Sequence, residues 1–169
     1  MISFDDAEKA LRQRTFGTLS TLTKRAAPHA TGVVYAVSAP DEPLALYVTT
    51  RTSTRKVRNL RVHPEVAFVV PVPHRFLPAF PPGAIQFMGT AAVVAADDEG
   101  AKRAFESSWF LQRILATERR IVAEDGDLCF IRIRPDGMLF TYGMGMSVLD
   151  VVRRPRGAIG RVAIPAGRQ

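Results

Sequence analysis

The chain has 169 residues and a mass of 18.6 kDa, the size of one compact domain. A hydrophobic fraction of 47% and a charged fraction of 23% provide for a sizeable core and exclude a wholly disordered chain or a coiled coil. The net charge is +7, and the apolar runs, such as Val66 to Pro73, are too short to cross a bilayer as a helix.

Met1-Ile2-Ser3-Phe4-Asp5-Asp6 carries acids where a signal peptide needs positive charge. The lone Cys129 forms no internal disulfide and reads as a small core residue. A cytoplasmic protein without a membrane partner is expected. Residues 51–61 hold Arg51, Arg55, Lys56, Arg58 and Arg61 with no acid. Residues 151–169 hold Arg153, Arg154, Arg156, Arg161 and Arg168, again with none. Neither stretch contains an aromatic for base stacking, so a local anion is expected rather than a nucleic acid. The second stretch reads as a solvated basic extension, from about residue 143, of a single domain covering residues 1–169.

In chain order, Ser3 caps a predicted helix with Phe4, Ala7 and Leu11 on one face, ending near Arg14. Residues 15–22 and 31–37 read as a hairpin joined through Thr23-Lys24-Arg25, and residues 44–50 as a third strand. Ser53 or Thr54 caps a short helix bearing Val57 and Leu60, which Pro64 ends. Residues 66–70 read as a buried strand, and Pro71–Pro82, with five prolines, as a long loop whose His74, Phe76 and Phe80 are placed to wall a substrate pocket. Residues 85–95 form a long strand in which Gly89 marks a bulge, a bend or a close approach. A helical region follows Asp97-Asp98, with Phe105, Trp109, Phe110 and Ile114 as its apolar positions. Residues 128–134 and 138–142 are expected to pair across the turn Pro135-Asp136-Gly137, and no further element is predicted after Tyr142. Six or seven hairpin-connected strands with inserted helices make a mainly β protein, a small barrel with peripheral helices.

The chain lacks Gly-x-Gly-x-x-Gly, Walker A and Gly-x-Ser-x-Gly signatures, and its three histidines have no metal-ligand spacing. The segment from Tyr47 to Leu60 is different. Thr49 and Thr50 end a strand, Ser53 and Thr54 follow, and Arg55-Lys56 open the helix. Hydroxyls, free backbone N–H groups and two cations at one spot are what a phosphate monoester requires. A solvated basic helix with a hydroxyl cap is the plainer alternative.

The block Thr49–Val70, with Thr-Arg-Lys, Asn59-Leu60 and His63-Pro64-Glu65-Val66, resembles the pyridoxamine 5'-phosphate oxidase-like family. The resemblance covers roughly residues 10–142. It implies a split β-barrel homodimer binding FMN or the deazaflavin coenzyme F420, with hydride transfer between the cofactor and a small organic substrate. It further implies that Thr49 and Thr50 lie along the cofactor, that Arg55 and Lys56 bind its phosphate, and that Gln86 reaches the flavin from the other subunit. F420 would call on additional basic residues such as Arg51 and Arg58. The family's Arg and Lys near Ala30 and Tyr35 are missing, and Thr141-Tyr142-Gly143-Met144-Gly145-Met146 replaces its C-terminal Trp-and-Arg motif. A divergent flavin oxidoreductase is therefore expected rather than authentic pyridoxamine phosphate oxidation. A carrier of flavin or haem on the same barrel is the non-enzymatic alternative, with His29, His63 and His74 as the available axial ligands.

Overall fold

The computed structural model describes residues 2–73, 82–125, 127–145 and 155–169. Helix α1 (Phe4–Arg12) opens with a capping box: the Ser3 hydroxyl accepts the Asp6 N–H, and the Asp6 carboxylate accepts the Ser3 N–H. Ala7 and Leu11 are fully buried beneath it. Strands β1 (Phe16–Leu22) and β2 (Pro28–Val34) pair as a hairpin, in register from Phe16↔Val34 to Leu22↔Pro28, with the return strand starting at residue 28 and ending at 34 rather than spanning the expected 31–37. Tyr35 then breaks the ladder. Its hydroxyl donates to the Leu11 carbonyl at 2.8 Å, and the next two residues, β3 (Ala36–Val37), pair instead with β4 (Leu46–Arg51).

After helix α2 (Arg55–Leu60) come β5 (Glu65–Val72) and the long β6 (Gly83–Ala95). Strand β5 runs through Pro71, which the sequence reading had assigned to the loop. His74, Phe76 and Phe80 lie outside the described residues. Helices α3 (Glu99–Glu106) and α4 (Trp109–Asp125) precede β7 (Leu128–Pro135), β8 (Met138–Tyr142) and β9 (Ile159–Ala163). All strand pairs are antiparallel, in the order β2-β1-β5-β6-β7-β4-β3, with β8 on β6 and β9 on β8. The result is a curled split barrel.

Three expectations are corrected. First, β7 and β8 are not a hairpin. Both lie antiparallel along one edge of β6, β8 at Ala84–Gln86 and β7 at Gly89–Ala95, so they run in the same direction. The Pro135–Gly137 segment is a jog, held where the Asp136 N–H donates to the Met88 carbonyl at 2.9 Å. Gly89 is needed there because a Cβ would collide with the Arg134 carbonyl. Its close approach is to backbone.

Second, Trp109 and Phe110 are 72% and 42% exposed. The helical region breaks at Ser107-Ser108, which resets the phase so that Leu111 and Leu115 face the core. Third, the chain beyond Tyr142 contributes a strand, β9, with Val162 and Ile164 buried. Arg168 is tied down as well. Its guanidinium donates to the carbonyls of Ala39, Pro40 and Glu42 and pairs with Glu8. Arg153 and Arg154 lie outside the described residues.

The alternation of β4 divides the apolar interior in two. Leu46 and Val48 point into the barrel with Leu19, Phe68, Ile85 and Ile131. There, Phe68 meets Tyr35 edge-on at 5.5 Å and stacks on Phe87 at 5.7 Å. Tyr47 points outward, beneath α3 and α4, with Phe105, Leu111 and Phe130.

Candidate anion site at the junction of β4 and α2

Strand β4 ends where it pairs with the start of β7: Thr49 faces Phe130, Thr50 faces Cys129 and Arg51 faces Leu128. The connection to α2 is fixed by a Thr52 N–H bond to the Asp127 carbonyl at 3.2 Å. Burial of Val57 and Leu60 seats α2 on the barrel. A buried bond from the Asn59 amide to the Thr21 hydroxyl, 2.9 Å long, sets its rotation.

Five of the six predicted residues therefore fall in one short run of chain, Thr49 to Lys56, with Thr49 and Thr50 on opposite faces of β4. Thr50 is buried, Lys56 is half-buried, and Ser53 and Arg55 are exposed. Thr54 is the cap residue, yet its side chain makes no cap bond. Its hydroxyl donates to the Arg51 carbonyl at 3.0 Å, so the Thr50 hydroxyl must supply the proton in their 3.3 Å contact. The Thr49 hydroxyl is left over: Oγ1 is buried and has no hydrogen-bond partner. Because α2 has only six residues, its dipole is a minor contributor and the side-chain donors dominate.

Burial pushes the Lys56 ammonium below its usual pKa, opposed by the nearby Glu118 and Cys129 and reinforced by Arg51. Glu118 sits on α4 and escaped the sequence reading, since no local spacing links it to Lys56. Burial likewise pushes the Cys129 thiol up, opposed by Arg61 and Lys56. Gln86 is not brought to this site. It is exposed on β6, whereas the site abuts the opposite end of that strand, where Ala95 pairs with Cys129. At about 3.3 Å per residue, the run from Gln86 to Ala95 covers roughly 30 Å along the strand. A cleft of about 580 Å³ that shares Asp127 and Leu128 with this junction is lined also by Ala96, Asp97, Lys102 and Arg119, none of them a predicted site residue. The predicted residues of the β4–α2 junction form a shelf on which Ser53 and Arg55 are exposed and the others are partly or fully buried. Among the described residues no His, Cys, Asp and Glu cluster is arranged to hold a metal ion.

The mostly antiparallel, curled sheet with its few helices defines the fold class of split barrels. The family model of pyridoxamine 5'-phosphate oxidase matches residues 4–142, and the chain belongs to that family. Comparison with curated proteins found no match. Solved structures similar to it include HutZ, the haem storage protein of Vibrio cholerae (TM-score 0.65, 19% identity, covering 86% of this chain and 98% of that one). An FMN-binding protein related to pyridoxamine 5'-phosphate oxidase, from Nostoc punctiforme, has a TM-score of 0.60 at 13% identity and covers 96% of each chain. An FAD-binding protein from Mesorhizobium loti has a TM-score of 0.55 at 18% identity, covering 80% of this chain and 89% of that one. At these identities the similarity speaks for the fold.

Proposed function

We propose that this chain is a flavin-dependent oxidoreductase that holds FMN by its phosphate on the β4–α2 shelf and exchanges a hydride with a small organic substrate. The observation that carries this reading is the Thr49 hydroxyl, whose Oγ1 is buried without a partner at the end of the strand that leads into α2, the helix opened by Arg55 and Lys56. A buried hydroxyl left unpaired costs about 1–3 kcal/mol, which a phosphate oxygen accepting its proton offsets. Ser53 adds a second hydroxyl donor, and Arg55 and Lys56 offset the phosphate charge. When bound, FMN supplies the redox chemistry, while the chain anchors it, orients it and excludes water. Membership of the family and similarity to FMN-binding structures support the same reading. The longer F420 is the alternative cofactor. One of the bases it would recruit, Arg58, already donates to the Ser53 carbonyl at 3.0 Å, which favours FMN.

The ring would be completed by a second copy of the chain, whose Gln86 covers the distance that one chain cannot. The exposed face of β6, β8 and β9 supports this, since Met88, Tyr142 and Ile159 are 62%, 41% and 66% exposed around Gln86.

FMN titration followed by flavin fluorescence tests the proposal. Replacing both Arg55 and Lys56 by alanine is expected to weaken binding by about a hundredfold or more, since each charge-assisted bond contributes about 1.5–3 kcal/mol. Unchanged affinity in that variant sinks the phosphate shelf. A haem-carrier reading has one observation in its favour: His29 Nδ1 on β2 is buried and unpartnered. Haem titration that gives a Soret band lost in His29→Ala, with no FMN binding, would replace the flavin reading.

A further inference from the structure

A second polar cleft lies away from the β4–α2 shelf, between the end of α1, β3 and the α3–α4 junction. It measures about 220 Å³, room for an oxyanion with a short carbon body, given that a water occupies about 30 Å³ in the liquid. Its polar lining is Arg12, Arg14, Thr15, Ser107 and Ser108, over a floor that includes Tyr35 and Leu111, and no acid contributes to it. The two arginines are not equivalent. Arg12 pairs with Glu8 at 2.5 Å, and that carboxylate is already shared with Arg168. Arg14 has no ion pair among the described residues, and its Nε is buried without an acceptor. The Tyr35 hydroxyl beside it donates to the Leu11 carbonyl, and its oxygen takes no bond from Arg14. Burial also raises its pKa, so it does not become a phenolate.

The hydroxyls add donors. Ser108 Oγ accepts the Leu111 N–H at 3.2 Å, so its own proton is free to point into the cleft, and Thr15 is the second hydroxyl there. A buried guanidinium N–H without an acceptor, uncommitted hydroxyl donors and an excess of positive charge share one recess. That combination calls for an anionic acceptor.

We propose that this cleft binds a small oxyanion-bearing ligand, a phosphate or carboxylate compound, with Arg14 as its anchor and Ser108 and Thr15 as hydroxyl donors. The site shares no residue with the cofactor shelf, so it stands or falls independently of the flavin reading.

The test is a ¹⁵N NMR titration of the full chain with inorganic phosphate and, separately, with acetate. Saturable shifts of the Thr15, Ser108 and Leu111 amides, and of the Trp109 indole that follows Ser108, are expected for at least one of the two. They should persist when Arg55 and Lys56 are both alanine and weaken tenfold or more in Arg14→Gln. Arg14→Lys, which keeps the charge but loses the guanidinium fork, should fall between. Shifts confined to Ser53–Lys56, or no saturable shift with either anion, overturn the proposal. Wild-type affinity in Arg14→Gln overturns it too. Should that variant not fold, the wild-type titration alone decides, because the two sites report through separate amides.

Discussion

At the scale of single residues, Thr49 is the most informative position. The sequence marked it as one of a hydroxyl pair but could not distinguish the two. The structure separates them: the Thr50 hydroxyl is engaged with Thr54, whereas the Thr49 Oγ1 is buried and unpartnered. Thr49→Val keeps the shape and removes the unpaired hydroxyl. It is therefore expected to stabilise the ligand-free fold by about 1 kcal/mol in urea titration while weakening FMN binding roughly tenfold. A variant that gained stability without losing affinity would show the hydroxyl to be idle.

Lys56 gives a pH signature. Burial lowers its pKa from the usual 10.5, so its charge is lost earlier on an alkaline titration than that of a free lysine. FMN affinity should then fall as pH rises through the depressed pKa, and Lys56→Ala should abolish that fall. The ligand-free fold should respond with the opposite sign. The unfolded chain binds this proton more tightly, so the Lys56 contribution to stability rises with pH between the depressed value and 10.5. Measurement of affinity and urea midpoint across that window checks both signs.

At the scale of elements, what was legible depended on how local the signal was. The Ser3 cap of α1, the pairing of β1 with β2 and the start of α2 are written in neighbouring residues, and the structure has each of them. The β7–β8 relation was misread because Pro135-Asp136-Gly137 carries the chemistry of a turn, while the strand that decides its geometry is β6, remote in sequence. Strand β9 was missed because Ile159–Ala163 is short and interrupted by Gly160 and Arg161. Only its partner β8 makes its alternation meaningful. Gly89 ties these facts to a measurement. Gly89→Ala forces a Cβ into the Arg134 carbonyl at the point where β6 passes from β8 to β7. Neither backbone can retreat without breaking ladder bonds, so a loss of about 2–3 kcal/mol is expected in urea unfolding. A loss under about 0.5 kcal/mol would mean that the jog is soft.

At the scale of the whole molecule, the split barrel leaves one sheet face incompletely covered, and that face decides whether the proposed site can be complete. Gln86 is across from Phe140, and Phe140 from Arg161, so the three share one side of β6, β8 and β9. On that side Met88, Tyr142 and Ile159 stay exposed, an arrangement more costly for a lone chain than for one that pairs. The sequence supplied the resemblance that implied a dimer, but the alternation within β6 alone does not join its open face to β8 and β9. The separation follows from register. If a second copy covers the face, Met88→Glu places a charge in an apolar interface, and self-association should weaken by roughly a hundredfold or more. Sedimentation across a concentration series reads this directly. FMN affinity should fall in the same variant even though Met88 is far along β6 from the phosphate shelf, because the partner's copy of Gln86 is lost with the dimer. A monomeric Met88→Glu chain that still bound FMN as tightly as the wild type would confine the cofactor to a single subunit. It would also remove Gln86 from the site.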